Sequence, residues 1–475
     1  MLPFELTTGQ KNFLSLATSG CNVLCQGSAG GGKSTVLQIL KEFWGDSLVT
    51  TAMTGVANMR LFGGMGGTGT TARTMALPRG IAKPKDWKDL TKFCNEVMAS
   101  SDRVEHIVVE ECGSLSAEQM HLLQHRIKRF NKKSKKRRGR NIQLILVGDL
   151  LQLGVITSNE EKEFFTQNYG SHLFFKSNAF KEMDFKVVYL NEVKRQSDKV
   201  FMAGLDILRY GNTDRMTKML EWLNKRYTKD LPENVPRICS SNKAVNAFNI
   251  EALRKNPNQL YEYTPDIEGE FNYEDNCPVD FNLEVKEGMV AMTLINHEDG
   301  LYQNGSVGVV TQCTAAGVWI RLNETNEDVL VEPFEFIEYH DVEVSRTKRA
   351  DGTDHVEYET EEKGRAFHVP ICHAAAVSVH KSQGATIPSA YVIDFGSTWA
   401  FENHADFGQA LAYVAFSRAT CINNVYLKTK IKKEHVKVCK ETIFWLIENE
   451  AIEVEQLSRR MMTEYQRSRE GFGCG

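Results

Sequence analysis

Residues Gly27 to Ser34 read GSAGGGKS and satisfy the pattern G-x-x-x-x-G-K-[ST] at every fixed position. The run before them, Asn22-Val23-Leu24-Cys25-Gln26, is apolar enough for a buried strand. Thr35 to Lys41, TVLQILK, places apolar side chains at helical spacing. In a strand, glycine loop, helix context, backbone N–H groups can turn inward around phosphate oxygens, where a side chain would clash. The helix N-terminus adds partial positive charge beneath them. The candidate nucleotide ligands are therefore Gly27, Ser28, Ala29, Gly30, Gly31, Gly32, Lys33, Ser34 and Thr35. Lys33 is spaced to reach β- and γ-phosphates, and the Ser34 hydroxyl to hold Mg²⁺. A glycine-rich turn with an incidental lysine is the bland alternative, and this context argues against it.

The chain has 475 residues, a length that suggests about three domains. Hydrophobic residues make up 42% and charged residues 25%, the composition of a soluble globular protein with ample core material. A net charge of −4 excludes a global basic field, so nucleic-acid binding has to come from local patches. MLPFELTTGQ at the start lacks the basic-then-apolar pattern of a signal peptide. No apolar run approaches the roughly 18 residues of a membrane helix, so no membrane partner is expected. Eleven scattered cysteines, without paired zinc-site spacing, suggest reduced thiols in an intracellular protein. Lys128 to Arg140 carries nine Lys or Arg and is expected to be a solvated loop. Phosphate contact and nuclear import fit that run equally.

Upstream of the loop, Gln10 follows Leu6-Thr7-Thr8-Gly9, and its amide has the donor and acceptor needed to read an adenine edge. ATP is therefore favoured over GTP. Ser47 to Ala52 is a strand, followed by Met53-Thr54-Gly55-Val56-Ala57-Asn58. Gly63 to Gly69 is too glycine-rich to pack and ends at the hydroxyl-rich Thr70-Thr71-Ala72-Arg73-Thr74. Residues 76–103 form a small excursion from the main sheet. His106-Ile107-Val108-Val109-Glu110-Glu111 is an apolar strand ending in two carboxylates. Glu110 is expected to orient Mg²⁺ and Glu111 to polarise an attacking water. Ile142 to Val147 is a buried strand ending in Gly148-Asp149-Leu150-Leu151-Gln152, which puts Gln152 where it would sense the γ-phosphate. Strands alternating with helices, with chemistry at the strand C-termini, predict a doubly wound parallel sheet of the α/β class.

Taken together, GSAGGGKS, TAMTGVAN, VVEECGSL and GDLLQL resemble the ordered motifs of superfamily-1 helicases. Leu190-Asn191-Glu192-Val193-Lys194-Arg195-Gln196-Ser197-Asp198 with Phe201 resembles the L-x-x-x-x-R-Q-x-D-x-x-F signature of the Pif (petite integration frequency) DNA helicases. Val379-His380-Lys381-Ser382-Gln383-Gly384-Ala385-Thr386 is similar to their H-K-S-Q-G-x-T motif, and Gln409 to Ala419, QALAYVAFSRA, to their Q-x-x-x-Y-V-A-L-S-R-A. The match runs from about Leu6 to about Leu427. Glu110 stands where the family has Asp, Arg73 where its T-x-H-S has His, and Leu153-Gly154 replaces a Leu-Pro-Pro run. No charge needed by the chemistry is lost.

The resemblance implies two RecA-like doubly wound domains, with a small wedge in the first and an SH3-like β-barrel insertion in the second. The expected boundaries are 1–183 (wedge about 75–104), 184–280 with 370–475, and 281–369. Val187-Val188-Tyr189-Leu190 is expected in the second sheet. Asp341 to Gly364 is expected as a protruding hairpin or loose arm, and Lys428 to Gly475 as one or two amphipathic helices and a polar tail. ATP and Mg²⁺ are the implied cofactors, with Gln383 and Gly384 at the nucleotide. Arg195 and Arg418 are expected as arginine fingers from the second domain. Thr54, Gly55, Thr71, Thr74, His380 and Lys381 are implied as the DNA track. The implied partners are single-stranded DNA and single/double-strand junctions, with other replication or repair proteins around a monomeric motor. The implied activity is ATP-dependent unwinding with 5′-to-3′ movement. The short stretch before the first motif is the form expected of a viral or mobile-element member. Two rivals remain: a single-strand translocase or RNA remodeller with the same motor, and a phosphate-loop kinase, which leaves Arg195, the β-insertion and Gln383-Gly384 unexplained.

Overall fold

The computed structural model describes residues 5–28, 30–53, 69–71, 75, 104–133, 141–155, 157–191, 198–232, 235–295, 297, 299–302, 305–323, 325–348, 354–383, 387, 390–396 and 409–470. Among the expected site residues, Ala29, Thr54, Gly55, Thr74, Arg195 and Gly384 lie outside them, as do residues 76–103 of the wedge. The chain separates into two compact units, 1–242 with 378–475, and 243–377.

The first unit is built on six parallel strands: β1 (Val23–Gly27), β2 (Leu48–Ala52), β3 (Gly69–Thr70), β4 (His106–Glu110), β5 (Gln143–Gly148) and β6 (Lys186–Leu190). Their order is β3-β2-β4-β5-β1-β6. The continuous apolar runs of β1, β4 and β5 follow from burial on both faces. Val23, Cys25, Val108, Ile145 and Val147 pack with Phe13 of helix α1 (Thr8–Thr18) and Val36, Leu37 and Leu40 of helix α2 (Lys33–Trp44). Their neighbours Leu24, Ile107, Val109, Leu144 and Leu146 face the opposite core, with Met120, Leu123 and Ile127 of helix α3 (Ala117–Lys133). Helix α3 thus carries Lys128 to Lys133, the first part of the basic run expected as a loop, and Lys128 pairs with Glu182 at 2.8 Å.

The expected boundary at 183 is corrected by strand pairing. β6, including Val187 to Leu190, pairs with β1 from Val23↔Lys186 to Gly27↔Leu190 and so belongs to the first sheet. An apolar strand carries no mark of the sheet it will join, because pairing is decided by the backbone. A second group of strands, Arg237–Cys239, Tyr391–Asp394 and Val425–Leu427, pairs in parallel. The carboxy-terminal segment forms the expected helices, Lys440–Glu448 and Arg459–Glu470, but packs on the first sheet instead of the second. Ile443, Leu446, Ala451, Ile452, Leu457 and Met461 are buried in the α3 core of the first sheet. There the Trp445 ring lies 4.7 Å from Phe175 and 6.0 Å from Phe180. An amphipathic helix buries its stripe against whichever apolar face is uncovered.

The second unit contains a five-stranded sheet with antiparallel neighbours Ile371–His373, Val290–Thr293, Val307–Thr314, Gly317–Leu322 and Asp328–Val331 in that order. Val285, Ala291, Val318, Ile320, Val331 and Ile371 form its core. The expected hairpin is longer than 341–364. Phe334–Lys348 and Asp354–His368 pair from Phe334↔His368 to Lys348↔Asp354, with register shifts at Glu338/Tyr339 and Glu343/Ser345.

Leu446 is fully buried in the first-sheet core. Leu446→Ala should therefore lower stability by about 2–5 kcal/mol through lost burial and a cavity. Urea unfolding midpoints of the two proteins, read at constant m-value, check this.

Candidate active site

The strand order puts β4, β5 and β1 side by side, so the residues after each share one sheet edge. After β1 the glycine loop takes conformations that an L side chain resists: φ is 84° at Gly30 and 80° at Gly32. A Cβ at Gly32 would lie 2.3 Å from Gln10 Nε2, and one at Gly31 would lie 3.2 Å from the Leu190 carbonyl. The loop is therefore glycine because of what packs behind it as well as what it would face. Gly32 caps α2 without a side-chain hydrogen bond, leaving the helix N-terminus open to an anion. Lys33 Nζ donates to the carbonyls of Gly27 and Ser28, each at 3.0 Å, holding its charge inside the loop curve. Ser34 is exposed on the first turn, with Thr35 partly exposed beside it.

Gln10 takes a different part from the one expected. It is 3% exposed. Its Oε1 accepts from the Thr7 N–H at 3.0 Å, completing the capping box of α1, and its Nε2 donates to the Gly32 carbonyl at 3.4 Å. The amide braces the loop, and reading an adenine edge would compete with these contacts.

After β4 come the two carboxylates. Glu110 ends the strand and Glu111 turns into the left-handed region, φ 53° and ψ 41°. That conformation costs a non-glycine residue about 1–3 kcal/mol and is held only where the surroundings fix it. Gln383 Nε2 donates to Glu111 Oε2 at 3.3 Å, so the H-K-S-Q-G motif touches the second carboxylate. Ser34 and Glu110 offer a hydroxyl and a carboxylate, the hard oxygen donors Mg²⁺ takes. Among the described residues no cluster of three or more His, Cys, Asp or Glu could hold a metal unaided. The neighbouring thiols are inert: burial pushes Cys25 up to about 12 and Cys112 well above the ordinary thiol value.

After β5, Asp149 is 1% exposed and gathers donors from four directions. Its Oδ1 accepts from Arg209 Nη2 at 2.8 Å, Gln26 Nε2 at 3.1 Å and the Leu151 N–H at 3.1 Å. Its Oδ2 accepts from Tyr413 Oη at 3.2 Å and Gln152 Nε2 at 3.4 Å. Burial alone would raise its pKa, but the charge and hydrogen bond of Arg209, with Lys33, outweigh it and hold the carboxyl below its ordinary value. The ionised form is thus the folded form's partner for Arg209, and its stabilisation fades as pH falls through that depressed pKa. Stranding either member of such a buried pair costs about 3–5 kcal/mol. Arg209 lies on helix α4 (Lys199–Tyr210), and Tyr413 on helix α5 (Leu411–Phe416). Gln152 is buried with its Nε2 on Asp149, and its Oε1, also buried, has no hydrogen-bond partner among the described residues. A phosphate oxygen needs a donor, so a water is the better partner for that atom. Gln152 and Arg209 both line a cavity of about 70 Å³, polar and roomy enough to admit water.

Arg418 is 1% exposed. Its guanidinium donates to the Val414 carbonyl at 2.8 Å, the Ser382 carbonyl at 3.1 Å and Ser417 Oγ at 2.8 Å. In this conformation it ties the Y-V-A-F-S-R-A segment to the loop bearing Gln383, and the expected finger role gives way to this structural one. Thr71 is likewise corrected as a DNA ligand. It is fully buried, with its hydroxyl 3.0 Å from Thr51 Oγ1, because the short β3 draws it under the sheet edge. Lys381 is exposed, as a backbone-tracking cation must be. His380 is half-buried and burial lowers its pKa, so near neutral pH it offers a ring and a hydrogen bond rather than a charge.

Residues 5–227 match a family described as an AAA domain. The chain is 27% identical over 425 residues to the ATP-dependent DNA helicase PIF1 of Xenopus laevis, covering 87% of this chain and 60% of that protein. It is 26% identical over 448 residues to the ATP-dependent DNA helicase Pif1 of Campylobacter jejuni, covering 86% and 90%. The crystal structure of Pif1 helicase from Bacteroides in complex with ADP-AlF3 and ssDNA aligns with a TM-score of 0.75 at 22% identity, over 94% of this chain and 98% of that one. The chain is similar to Pif1 helicases over most of its length and shares their fold. The Pif1 helicase from Candida albicans shares the fold at a TM-score of 0.71 and 22% identity, over 94% of this chain and 99% of that one. The chain spans three-fifths of the frog relative and nine-tenths of the bacterial one.

Sequence reasoning missed Gln26, Arg209 and Tyr413. One signal was present: Phe201, Leu205 and Arg209 recur at four-residue spacing, which puts a cation in an apolar stripe. Such a cation requires a buried carboxylate.

Lys33→Ala should abolish ATP turnover, since the loop loses its point charge. Glu111→Gln should retain nucleotide binding and lose about 10²–10⁴ in turnover, since the amide cannot take a proton. Phosphate release and nucleotide titration on the same preparations check both, and normal turnover by Glu111→Gln refutes its assignment as the base.

Proposed function

We propose that this chain is an ATP-dependent DNA helicase that moves 5′ to 3′ on single-stranded DNA and opens duplex or structured DNA. The observation that carries the reading is the contact of Gln383 with Glu111. A carboxylate poised for hydrolysis is touched by a loop whose preceding residues, His380 and Lys381, are the candidate strand contacts. The direction of movement is taken from the family resemblance.

In this reading ATP lies on the glycine loop, with Lys33 against its β- and γ-phosphates. Mg²⁺, held by Ser34 and Glu110 together with the phosphates, would neutralise charge on the β- and γ-oxygens. Glu111 accepts the proton of the attacking water, and Gln152 orients that water through Oε1. Arg195 is the finger that completes the transition state. The sheet of 237–239, 391–394 and 425–427 is the second RecA-like domain, and the antiparallel unit within 281–369 is the family's SH3-like insertion. Thr54, Gly55, Thr74, His380 and Lys381 line the strand, with phosphate contact and stacking in place of base readout. Localisation is proposed to be intracellular.

Lys381→Ala should weaken single-strand binding equally for unrelated sequences and reduce the log–log salt slope by about 0.7. Equilibrium titration at several salt concentrations on two sequences measures it, and an unchanged slope removes Lys381 from the track. Strand separation on forked, overhang and RNA-containing substrates tests the reading itself. Translocation without separation, or action on RNA alone, would favour the translocase or remodeller instead.

A further inference from the structure

The short segment 411–418 reaches both groups assigned to the hydrolytic water through an intermediate, by two separate routes. One runs from Tyr413 Oη to Asp149 Oδ2, the oxygen that also receives Gln152 Nε2. The other runs from Arg418 Nη1 to the Ser382 carbonyl, next to Gln383, whose amide donates to Glu111. The first route joins two motif residues to which the reading above gives no role, and its geometry is demanding. Asp149 can face Gln152 only as an acceptor, so it takes Nε2 and leaves the buried Oε1 as the atom that can accept. Arg209 Nη2 holds the opposite oxygen at 2.8 Å, and its guanidinium carbon lies 5.1 Å from the Tyr210 ring and 5.9 Å from the Tyr413 ring. Arg209 Nη1 donates to Tyr210 Oη at 2.7 Å, and Tyr210 Oη lies 3.3 Å from Tyr189 Oη on β6. The carboxylate is thus clamped between the first sheet, α4 and α5.

We propose that Tyr413 and Arg209 are positioning residues for ATP hydrolysis: acting through Asp149, they set the amide of Gln152 and make its alignment depend on the placement of α5. This rests on the helicase reading above and extends it. A strand contact at His380-Lys381 lies beside Ser382, and the Arg418 bond carries its displacement to α5. Withdrawal of Tyr413 Oη then leaves Gln152 alone on Asp149 Oδ2. Strand binding and water alignment become two readings of one helix position.

The test is Tyr413→Phe, which removes one oxygen from the cluster and leaves the Asp149–Arg209 pair intact. ATP turnover is measured with and without a single-stranded oligonucleotide, alongside nucleotide affinity and the thermal midpoint. The strand-stimulated kcat should fall about tenfold, the loss of one hydrogen bond to a charged group, while KM and nucleotide affinity stay within about twofold. The rate without DNA should fall less, so that the stimulation ratio shrinks. Arg209→Lys, which keeps the charge and loses the planar fork, should shift kcat the same way. A Tyr413→Phe protein with wild-type stimulation overturns the proposal, as does one whose KM rises at constant kcat. If Arg209→Lys does not fold, the Tyr413→Phe comparison decides alone. A wild-type protein with no response to single strands overturns the helicase reading instead, so the two failures are distinguishable.

Discussion

One buried carboxylate constrains much of this molecule. Asp149 has no solvent to screen it, and an ionised group in such a place persists only if every lone pair meets a donor and a counter-charge is close. Those donors come from β1, from the loop after β5, from α4 and from α5. Elements distant in sequence are thereby required to meet at one point, and that point is the C-terminal edge of the sheet. The ion pair is weak evidence for net stability. Its value is specificity, because alternative packings of α4 or α5 would leave a charge buried alone.

The glycine loop answers a similar constraint from the other side. Its left-handed Gly32 is pressed by Gln10, and the neighbouring Gly31 by the backbone of β6, so the loop is shaped by protein before any phosphate reaches it. Preformed N–H groups bind an anion without ordering cost at the moment of binding. The strain at Glu111 has the same character: a carboxylate held in an unfavourable conformation and touched by the Gln383 amide.

The first-sheet core is closed by the end of the chain as well as by its own crossover helices. Ile443, Leu446 and Met461 complete a hydrophobic layer that begins with Leu24. The sheet that carries the glycine loop therefore depends on residues more than 400 positions later in the sequence.

The glycine loop, the two acids at the end of an apolar strand, and G-D-x-x-Q after another were legible because each is local: residue type and spacing within ten positions determine the chemistry. Alternating strands and helices likewise determined the parallel α/β class. Pairing and burial were not legible. Leu190 could have joined either sheet, and only hydrogen bonding to β1 assigns it to the first. Thr71 and Arg418 carry polar groups suited to ligands, yet both are buried and engaged by the protein. Gln10 has the amide to read a base and uses it to brace a loop. Arg209 and Tyr413 stand 60 and 264 residues from Asp149, and no local pattern encodes their meeting. Sequence determined which chemical groups the chain owns and where strands end. Tertiary structure decided which groups face a ligand and which satisfy each other, because burial and long-range pairing depend on the packing of the whole chain.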